Sequence, residues 1–509
     1  MELTQLTPIT RLILLSGVKL DNTYTDSVDF FNSPTEQATY FMSKQAHSFT
    51  DFAPVRLQNQ IKIPLNADAV YNCNYVMFQN RNFSNKWFYA FITKIDFENI
   101  NMCSITIEID IVQTWFFDYK IMDSFVEREH AETDKIGDNL VKENLETGEY
   151  VTQYFGNTGL MENKDIIIAS AMQGDGVLSA GGIIGGIYSG IWYNVFQNAI
   201  DANTFIINMT EQNKSDAIVS VFMMPRGYIA NSDQAISTTH SVPMENSRIG
   251  LYTPKNKKLL TYPYSFMHVI NTEGSEIQYR FEYFGAIPEL GYQFTIYSNT
   301  SPSPELVLVP FLYKYSSGGG LGGANNLNAT ISISGFPQCA FNIDTYKAWL
   351  AQNSTSVGLS VASGVLGTVG SLASGNVVGA IGGAVGIAQT LGQVAVASTM
   401  ADSAKGTATS SAFFAHNLLD FHFYRMTITE EYAKIIDDYF SMYGYATHRV
   451  KTPNTKSRRY WNYLKTQDIK LVGNIPFNDI SALKTIYNKG ITLWHNDDVG
   501  NYNRNNTIV

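Results

Sequence analysis

The chain has 509 residues, of which 45% are hydrophobic and 16% charged, with a net charge of −10. Its length allows about two to four domains with sizeable cores. The acidic balance argues against a protein that reads nucleic acid through a basic face, and three cysteines (Cys73, Cys103, Cys339) without C-x-x-C spacing argue against a disulfide framework or a thiolate zinc site.

The 30 Tyr, 30 Phe and many turn-forming pairs favour numerous short strands over long helices. Arg11–Ser16 contains the apolar run LILL, too short for a signal-peptide core and without a cleavage pattern behind it. The chain is therefore expected to be made in a cytosol without export by a signal. Ser104–Ile111 alternates Ile105, Ile107, Ile109 and Ile111 with Thr106, Glu108 and Asp110, the period-two pattern of a half-buried antiparallel strand. Ile61–Leu65 and Trp87–Ile95 are expected as its neighbours. Glu127-Arg128-Glu129-His130 is a charged cluster without metal-ligand spacing, expected as a solvated or salt-bridged turn.

The middle of the chain is also strand-like. Ile166–Ser170, Ile218–Met224, Ile277–Phe284 and Glu305–Tyr313 are the candidates. Gly181–Gly186 and Gly318–Gly323 are glycine clusters; the second lacks the strand–helix context of a dinucleotide loop and is expected as a flexible turn.

From Ala348 to Ala401 there is no charged residue, and ten glycines fall between Gly358 and Gly392. The core of this stretch, Val357–Ala397, is too apolar for an exposed loop and too glycine-rich for an ordinary core helix. Its apolar positions are Val357, Leu359, Val361, Val365, Leu366, Val369 and Leu372, then Val377, Val378, Ile381, Val385, Ile387, Leu391 and Val394. Gly375, Gly379 and Gly383 recur every four residues and would share one helix face, the spacing that lets helices approach closely in lipid. At 1.5 Å per residue, two crossings of a bilayer with a turn at Ser374-Gly375-Asn376 are possible in length. The first half contributes only about −3 to −4 kcal/mol to insertion, at about −0.5 kcal/mol per strong apolar residue, and its glycines and serines oppose that. One copy is a marginal span; several together could insert. Three readings stay open from the residues: a helical hairpin buried between domains or subunits, conditional membrane insertion, and a flexible linker.

Beyond this stretch the pattern changes. Thr427-Ile428-Thr429-Glu430 has the form of a capping box ahead of a helix carrying Ile435, Ile436, Tyr439, Phe440 and Tyr443 and stopped by Gly444. A second helix is expected from Asp479 to Lys489, with Ile480, Leu483, Ile486 and Tyr487 on its face and Gly490 at its end. His448–Lys451, Tyr460–Lys465 and Ile491–His495 are strand-like around it. Lys451, Lys456, Arg458, Arg459 and Lys465, interleaved with Tyr460, Trp461 and Tyr463, form the one basic cluster. It has the ingredients for touching nucleic acid by charge and stacking, or for a solvated or subunit-contact face.

None of the eight histidines forms H-E-x-x-H, and neither G-x-S-x-G nor G-x-x-x-x-G-K-[ST] occurs. No enzyme, metal site or cofactor is expected.

Several blocks point to a family. Asn85-Lys86-Trp87-Phe88-Tyr89-Ala90-Phe91 precedes Glu108-Ile109-Asp110-Ile111-Val112-Gln113-Thr114-Trp115 and Ser124-Phe125-Val126-Glu127-Arg128-Glu129-His130. Tyr443-Gly444-Tyr445, Arg449-Val450-Lys451-x-Pro453-Asn454, Gly490-Ile491-Thr492-Leu493-Trp494-His495 and Asp498-Val499-Gly500-Asn501-Tyr502 follow near the C-terminus. In this order the chain resembles the tail-knob, or distal tail-tube, proteins of small short-tailed (picovirus-type) podophages, over about residues 60–130 and 425–502. The resemblance implies a mainly β chain with a C-terminal α+β unit, whose barrel-like domains build a homohexameric tube in the virion.

Four regions are then expected. Residues 1–160 would form a β tube wall and 161–345 a β-rich lower knob. Residues 346–410 would form a glycine-rich membrane-active loop, helical or disordered, and 411–509 an α+β unit packed with the N-terminal region. The resemblance further implies that six apolar segments plug the lumen and later form a channel in the host cytoplasmic membrane. The implied partners are further copies of the chain, upper tail or collar proteins, that membrane, and genomic double-stranded DNA passing without sequence reading. A tube that passes DNA should not hold it, so Thr106, Glu108 and Asp110 are expected to face either the lumen or the outer solvent. The rival reading is a receptor- or cell-wall-binding tail protein.

Overall fold

The computed structural model describes residues 9–29, 33–52, 59–80, 84–160, 162–172, 179–184, 187–228, 237–285, 291–298, 304–314, 329–342, 345, 346, 349, 419–495 and 498–509. The chain divides into two compact units. The first comprises residues 1–146, 254–259 and 431–509, and the second residues 147–253 and 260–430.

In the first unit the strands run β1 (Ile9–Ser16), β2 (Asp26–Val28), β3 (Gln45–Phe52), β4 (Gln60–Ile63), β5 (Cys73–Asn80), β6 (Trp87–Asn99), β7 (Met102–Ile109), β8 (Tyr119–Ile121) and β9 (Ser124–Glu129). Helices α1 (Pro34–Met42), α2 (Ala67–Val70) and α3 (Ile111–Trp115) interrupt them. Six strands form an antiparallel sheet in the order β3-β1-β5-β6-β7-β4. The run LILL is its inner strand β1. Leu12 and Leu14 enter one core with Ile61, Ile63 and Ile105, while Ile13 and Leu15 enter another with Tyr75, Met77 and Phe91. A strand buried on both faces reads as a continuous apolar run, which explains why this stretch does not alternate.

The second unit contains β10 (Tyr150–Asn157), β11 (Lys164–Ser170), β12 (Ser179–Ile184), β13 (Ile187–Phe196), helix α4 (Ala199–Glu211), β14 (Ile218–Pro225), β15 (Ser237–Val242), β16 (Ser265–Asn271), β17 (Glu276–Tyr279), β18 (Tyr292–Ser298), β19 (Leu306–Pro310), β20 (Ile331–Ile333), β21 (Gln338–Ala340) and β22 (Phe421–Ile428). They form three sheets, β12-β13-β11-β14-β21, β10-β22-β16-β17 and β15-β18-β19-β20, which share one apolar core. Asn198 caps α4 by accepting the Asp201 N–H.

The chain then returns to the first unit. Helix α5 (Glu430–Tyr443) crosses the boundary and is followed by β23 (Tyr445–Lys451), β24 (Trp461–Gln467), β25 (Leu471–Gly473), α6 (Phe477–Lys489) and β26 (Ile491–Trp494). The sheet β2-β26-β24-β9-β23 interleaves N- and C-terminal strands, with β2 parallel to β26. Trp461 and Trp494, both 0% exposed, pack in the core that holds Ile13 and Tyr75.

Several expectations are corrected. The N-terminal run of the first unit reaches residue 146, and β10, which pairs with β22, belongs to the second unit. With it, β22 lies outside the C-terminal α+β unit expected over 411–509. Thr427 is a buried strand residue, so α5, which opens at Glu430, has no capping box there. The strand expected over Ile277–Phe284 ends at Tyr279 and gives way to a 3₁₀ turn at Phe281–Tyr283. Gly181 pairs with Trp192 inside the β12–β13 ladder, whereas Gly318–Gly323, expected as a flexible turn, lies outside the described residues. Ile111 opens α3 and does not continue the Ile105–Ile107–Ile109 strand face.

Candidate functional site

Val357, Leu359, Val361, Val365, Leu366, Val369, Leu372, Gly375, Val377, Val378, Gly379, Ile381, Gly383, Val385, Ile387, Leu391 and Val394 all lie outside the described residues. The structure does define how the chain leaves for this segment and how it returns. On the departing side Tyr346 and Trp349, 0% and 5% exposed, lie in the core of the second unit with their rings nearly parallel and 6.0 Å apart. Tyr346 also donates its N–H to the Asn342 carbonyl at 2.8 Å.

On the returning side Leu419 and Phe421 are fully buried and Asp420 lies between them. The Asp420 carboxylate accepts three backbone N–H bonds, from Thr158 at 3.2 Å, Gly159 at 2.9 Å and Phe421 at 2.7 Å, and also the Thr158 hydroxyl. Charge-assisted bonds of this kind are among the stronger polar contacts in proteins. They hold the start of β22, which is then paired on both sides, by β10 and β16. The described chain on either side of residues 350–418 is thus anchored, on the first side by aromatic packing and on the second by a polar clamp and two ladders.

The three polar residues of the 104–111 strand do not share one fate. Glu108 is exposed, and its Oε2 accepts the Asn22 side-chain amide at 2.8 Å. Thr106 is half-buried on β7. Asp110 is only 2% exposed and so faces neither lumen nor solvent. It caps α3, accepting the Gln113 N–H at 3.0 Å and the Tyr75 hydroxyl at 2.8 Å. Burial pushes its carboxyl up to about 6, against the pull of those hydrogen bonds. The spacing Asp110-x-x-Gln113 is a capping signature that the period-two reading passed over.

Charged residues of the first unit converge inside it. Glu129 is buried on β9 and Glu143 in the segment that follows. Glu143 pairs with Arg128 and with Lys258, the latter at 2.8 Å, and accepts the Ala446 N–H at 2.8 Å. Lys258 also donates to the Val141 carbonyl at 2.7 Å, and burial pulls its ammonium down from the usual lysine range. Glu129 pairs with Lys451 and accepts the Asn454 N–H at 2.7 Å. His130 accepts the Tyr463 N–H at Nδ1, 2.7 Å away, so its Nε2 carries the proton and donates to the Ser441 carbonyl at 3.1 Å. Burial holds this imidazole neutral, with its pKa lowered to about 3.

Glu127–His130, expected as a turn, is therefore largely a buried, salt-bridged strand. Lys451 and Lys465 come from more than 300 residues away and Glu143 from 15 residues on, so no local pattern announces these partners. The basic cluster also dissolves as a single face: Lys451 and Lys465 are paired with Glu129 and Glu127, and Arg458 is only 7% exposed. Among the described residues no group of three or more His, Cys, Asp or Glu side chains has the arrangement of a metal site. Burial pushes the Cys339 thiol up to about 11, away from the thiolate a nucleophile needs.

Residues 229–507 match the family model of the C-terminal domain of tail knob protein gp9 of Bacillus phage phi29, and residues 8–120 match that of the N-terminus of caudoviral major tail proteins. The tail knob protein gp9 of Bacillus phage B103 is 27% identical, the alignment covering 97% of this chain and 98% of that relative. The gp9 protein of Bacillus phage PZA is 25% identical over 98% of both chains. The solved tail knob protein gp12 of bacteriophage C1 superposes with a TM-score of 0.62 at 15% identity, covering 98% of this chain and all of that one, and so shares its fold. With a mainly β architecture and a family match across more than half its length, the chain belongs to the podophage tail knob proteins, non-enzymatic structural components of the virion tail.

Proposed function

We propose that six copies of the chain form the distal tube of the tail, and that the apolar segment at 357–397 plugs its lumen until ejection. The segment then leaves the tube and, with its five counterparts, forms a channel in the host cytoplasmic membrane through which the genome passes. The observation that carries this reading is the 54-residue charge-free stretch Ala348–Ala401 within a tail knob chain. One copy gains only about −3 to −4 kcal/mol from its first half, so stable insertion calls for several copies. No helix among the described residues is long and apolar enough to cross a membrane, so the reading rests on this segment.

The remaining partners follow from the same reading: upper tail or collar proteins above the knob, and double-stranded DNA in transit. Glu108 and Thr106 are candidates for the lumen lining. An acidic chain offers phosphate little to hold. The rival reading is a receptor- or wall-binding tail protein, favoured if residues 160–345 bind cell-wall glycans.

The test is dye release from liposomes by the full chain and by a chain lacking residues 357–397, across pH and salt, with the oligomeric state of both measured. Release that disappears with the deletion, from a ring of unchanged size, is the expected result. Equal release from both chains removes the membrane role. A chain that never forms a closed ring removes the tube.

A further inference from the structure

Where β23 runs beside β9 the register slips: Ala446 pairs with Arg128, and the next pair is Arg449 with Val126. Two residues of β23 therefore stand opposite Glu127 alone. The excess is taken up at His448, whose φ of 47° lies in the left-handed region. Bulges re-aim side chains and occur often beside binding sites, and a non-glycine residue held at positive φ is uncommon enough to call for a reason.

His448 lines a cleft of about 520 Å³ together with Tyr439, Tyr443, Tyr463, Lys142 and Asn144. This volume falls within the range of small-ligand sites, about 300–1,000 Å³. Tyr439 and Tyr443 are one helical turn apart on α5 with ring centroids 5.2 Å apart, and Tyr463 from β24 meets Tyr443 edge-on at 5.1 Å. The guanidinium of Arg128, 4.8 Å from the Tyr439 ring, holds that ring in place. Gly490 leaves the space that the Tyr463 hydroxyl occupies, since a Cβ there would overlap it.

The chemistry of the wall is specific. No described residue hydrogen-bonds the hydroxyls of the three tyrosines, or the side chains of Lys142 and Asn144. Glu127 is paired with Lys465 at 2.7 Å, and Glu143 is shared by Arg128 and Lys258, so among the described lining groups Lys142 is the charge without an ion pair. A phosphorylated ligand calls for several cations or a nest of backbone N–H groups. A polyhydroxylated ring matches better. Its C–H face stacks on a phenol while its hydroxyls exchange hydrogen bonds with the tyrosines, the Asn144 amide and His448.

We propose that this cleft is a saccharide-binding site that takes hexopyranose units of a glycan. The proposal does not depend on the tube or on membrane insertion. It is tested by titrating the full-length protein with maltotriose and with tri-N-acetylchitotriose, by calorimetry and ligand-observed NMR. Saturable binding of one of them is expected, weakened at least about tenfold, or about 1.4 kcal/mol, by Tyr443→Ala and less by Tyr443→Phe. His448→Gly guards against a trivial loss of fold, because glycine takes a φ of 47° freely. That variant should keep or raise the melting temperature and still weaken binding several-fold.

Absence of saturable binding of both probes up to about 10 mM, beyond the range of weak specific affinities, overturns the proposal. So does binding that survives both Tyr443→Ala and His448→Gly. Protection of Tyr443 from nitration by oligomerisation alone, without sugar, would assign the cleft to a neighbouring chain and overturns it equally.

Discussion

Asp420 is the residue through which the chain returns from its apolar segment, and replacing it should loosen that point alone. Its carboxylate is 6% exposed and accepts N–H bonds from Thr158, Gly159 and Phe421 at 2.7–3.2 Å. A hydrogen bond to a charged group contributes about 1.5–3 kcal/mol, and each buried N–H left without a partner costs about 1–3 kcal/mol. The bonds share one acceptor, so their losses do not add. Asp420→Ala should destabilise the start of β22 by about 3–5 kcal/mol, and Asp420→Asn by roughly half, because the amide keeps one oxygen but turns a donor toward an N–H. Native-state hydrogen exchange on the full chain reads this directly. At about 1.4 kcal/mol per tenfold, the Gly159 and Phe421 amides should lose about two to three and a half orders of magnitude of protection in the alanine variant, and the Thr158 amide less, because it also donates to the Phe421 carbonyl at 3.2 Å. Amides of β9, in the other unit, should keep theirs. Unchanged protection at the three amides would refute the clamp. An equal loss in β9 would show that Asp420 supports the whole chain and not the return point.

Other perturbations give equally definite outcomes. Glu143→Ala leaves buried Lys258 and half-buried Arg128 without their shared partner. The first unit should lose about 3–5 kcal/mol, read as a shift in its urea midpoint, and a loss below about 1 kcal/mol would place the pair in solvent-like surroundings. Gly444→Ala forces a side chain onto a φ of 65° and drives its Cβ into the Glu129 carbonyl, for a cost of about 3 kcal/mol or more. Gly17→Ala, at φ 71° but in open space, should cost only about 1–2 kcal/mol, and equal costs for the two would remove the close-approach argument.

Acid should weaken the first unit through His130 and His495, whose folded pKa values are lowered by burial to about 3 and about 4. Below about pH 6.5 the unfolded chain takes up protons that the folded one refuses, so each histidine removes stability as pH falls, by about 1.4 kcal/mol per unit. Asp110, raised to about 6, acts in the opposite sense below that pH. Comparing the native chain with His130→Gln cancels the carboxylates. Between pH 6 and 4 the variant's stability should fall less steeply by about 1.4 kcal/mol per unit, and parallel curves would refute a neutral buried His130.

Much of this fold is legible in the sequence wherever a single period governs a segment. Ile105 and Ile107 of β7 alternate as expected, Ile166–Ser170 and Ile218–Met224 are strands, and both C-terminal helices stop at Gly444 and Gly490 with positive φ. What escaped the reading is of two kinds. Asp110 sits where a strand's period ends and a helix cap begins, so its burial follows from the cap and contradicts the alternation. Glu143, Lys258 and Glu129 are satisfied by partners more than 100 residues away, or in another strand of an interleaved sheet, and pairing at such range leaves no mark on local composition. Asp420 lies 19 residues beyond the charge-free stretch, and its value lies in three N–H groups that only the fold brings together.

The interleaving also bears on how the apolar segment could be released. The frame β2-β26-β24-β9-β23 draws strands from residues 26–28, 124–129, 445–451, 461–467 and 491–494, so opening it means breaking pairings across the length of the chain. The chain on either side of the segment is anchored in the other unit, and the two anchors differ in kind. Downstream, β22 is held by Asp420 and by ladders on both flanks that open together or not at all. Upstream, Tyr346 and Trp349 are held chiefly by packing, which lets go one ring at a time. Under a pull on the segment the upstream end should peel first while the chain pivots about Leu419 and Asp420. The first unit need not break a single strand pair for this to happen. If the segment is the plug proposed above, the division of the chain into two units would let it depart without opening that frame.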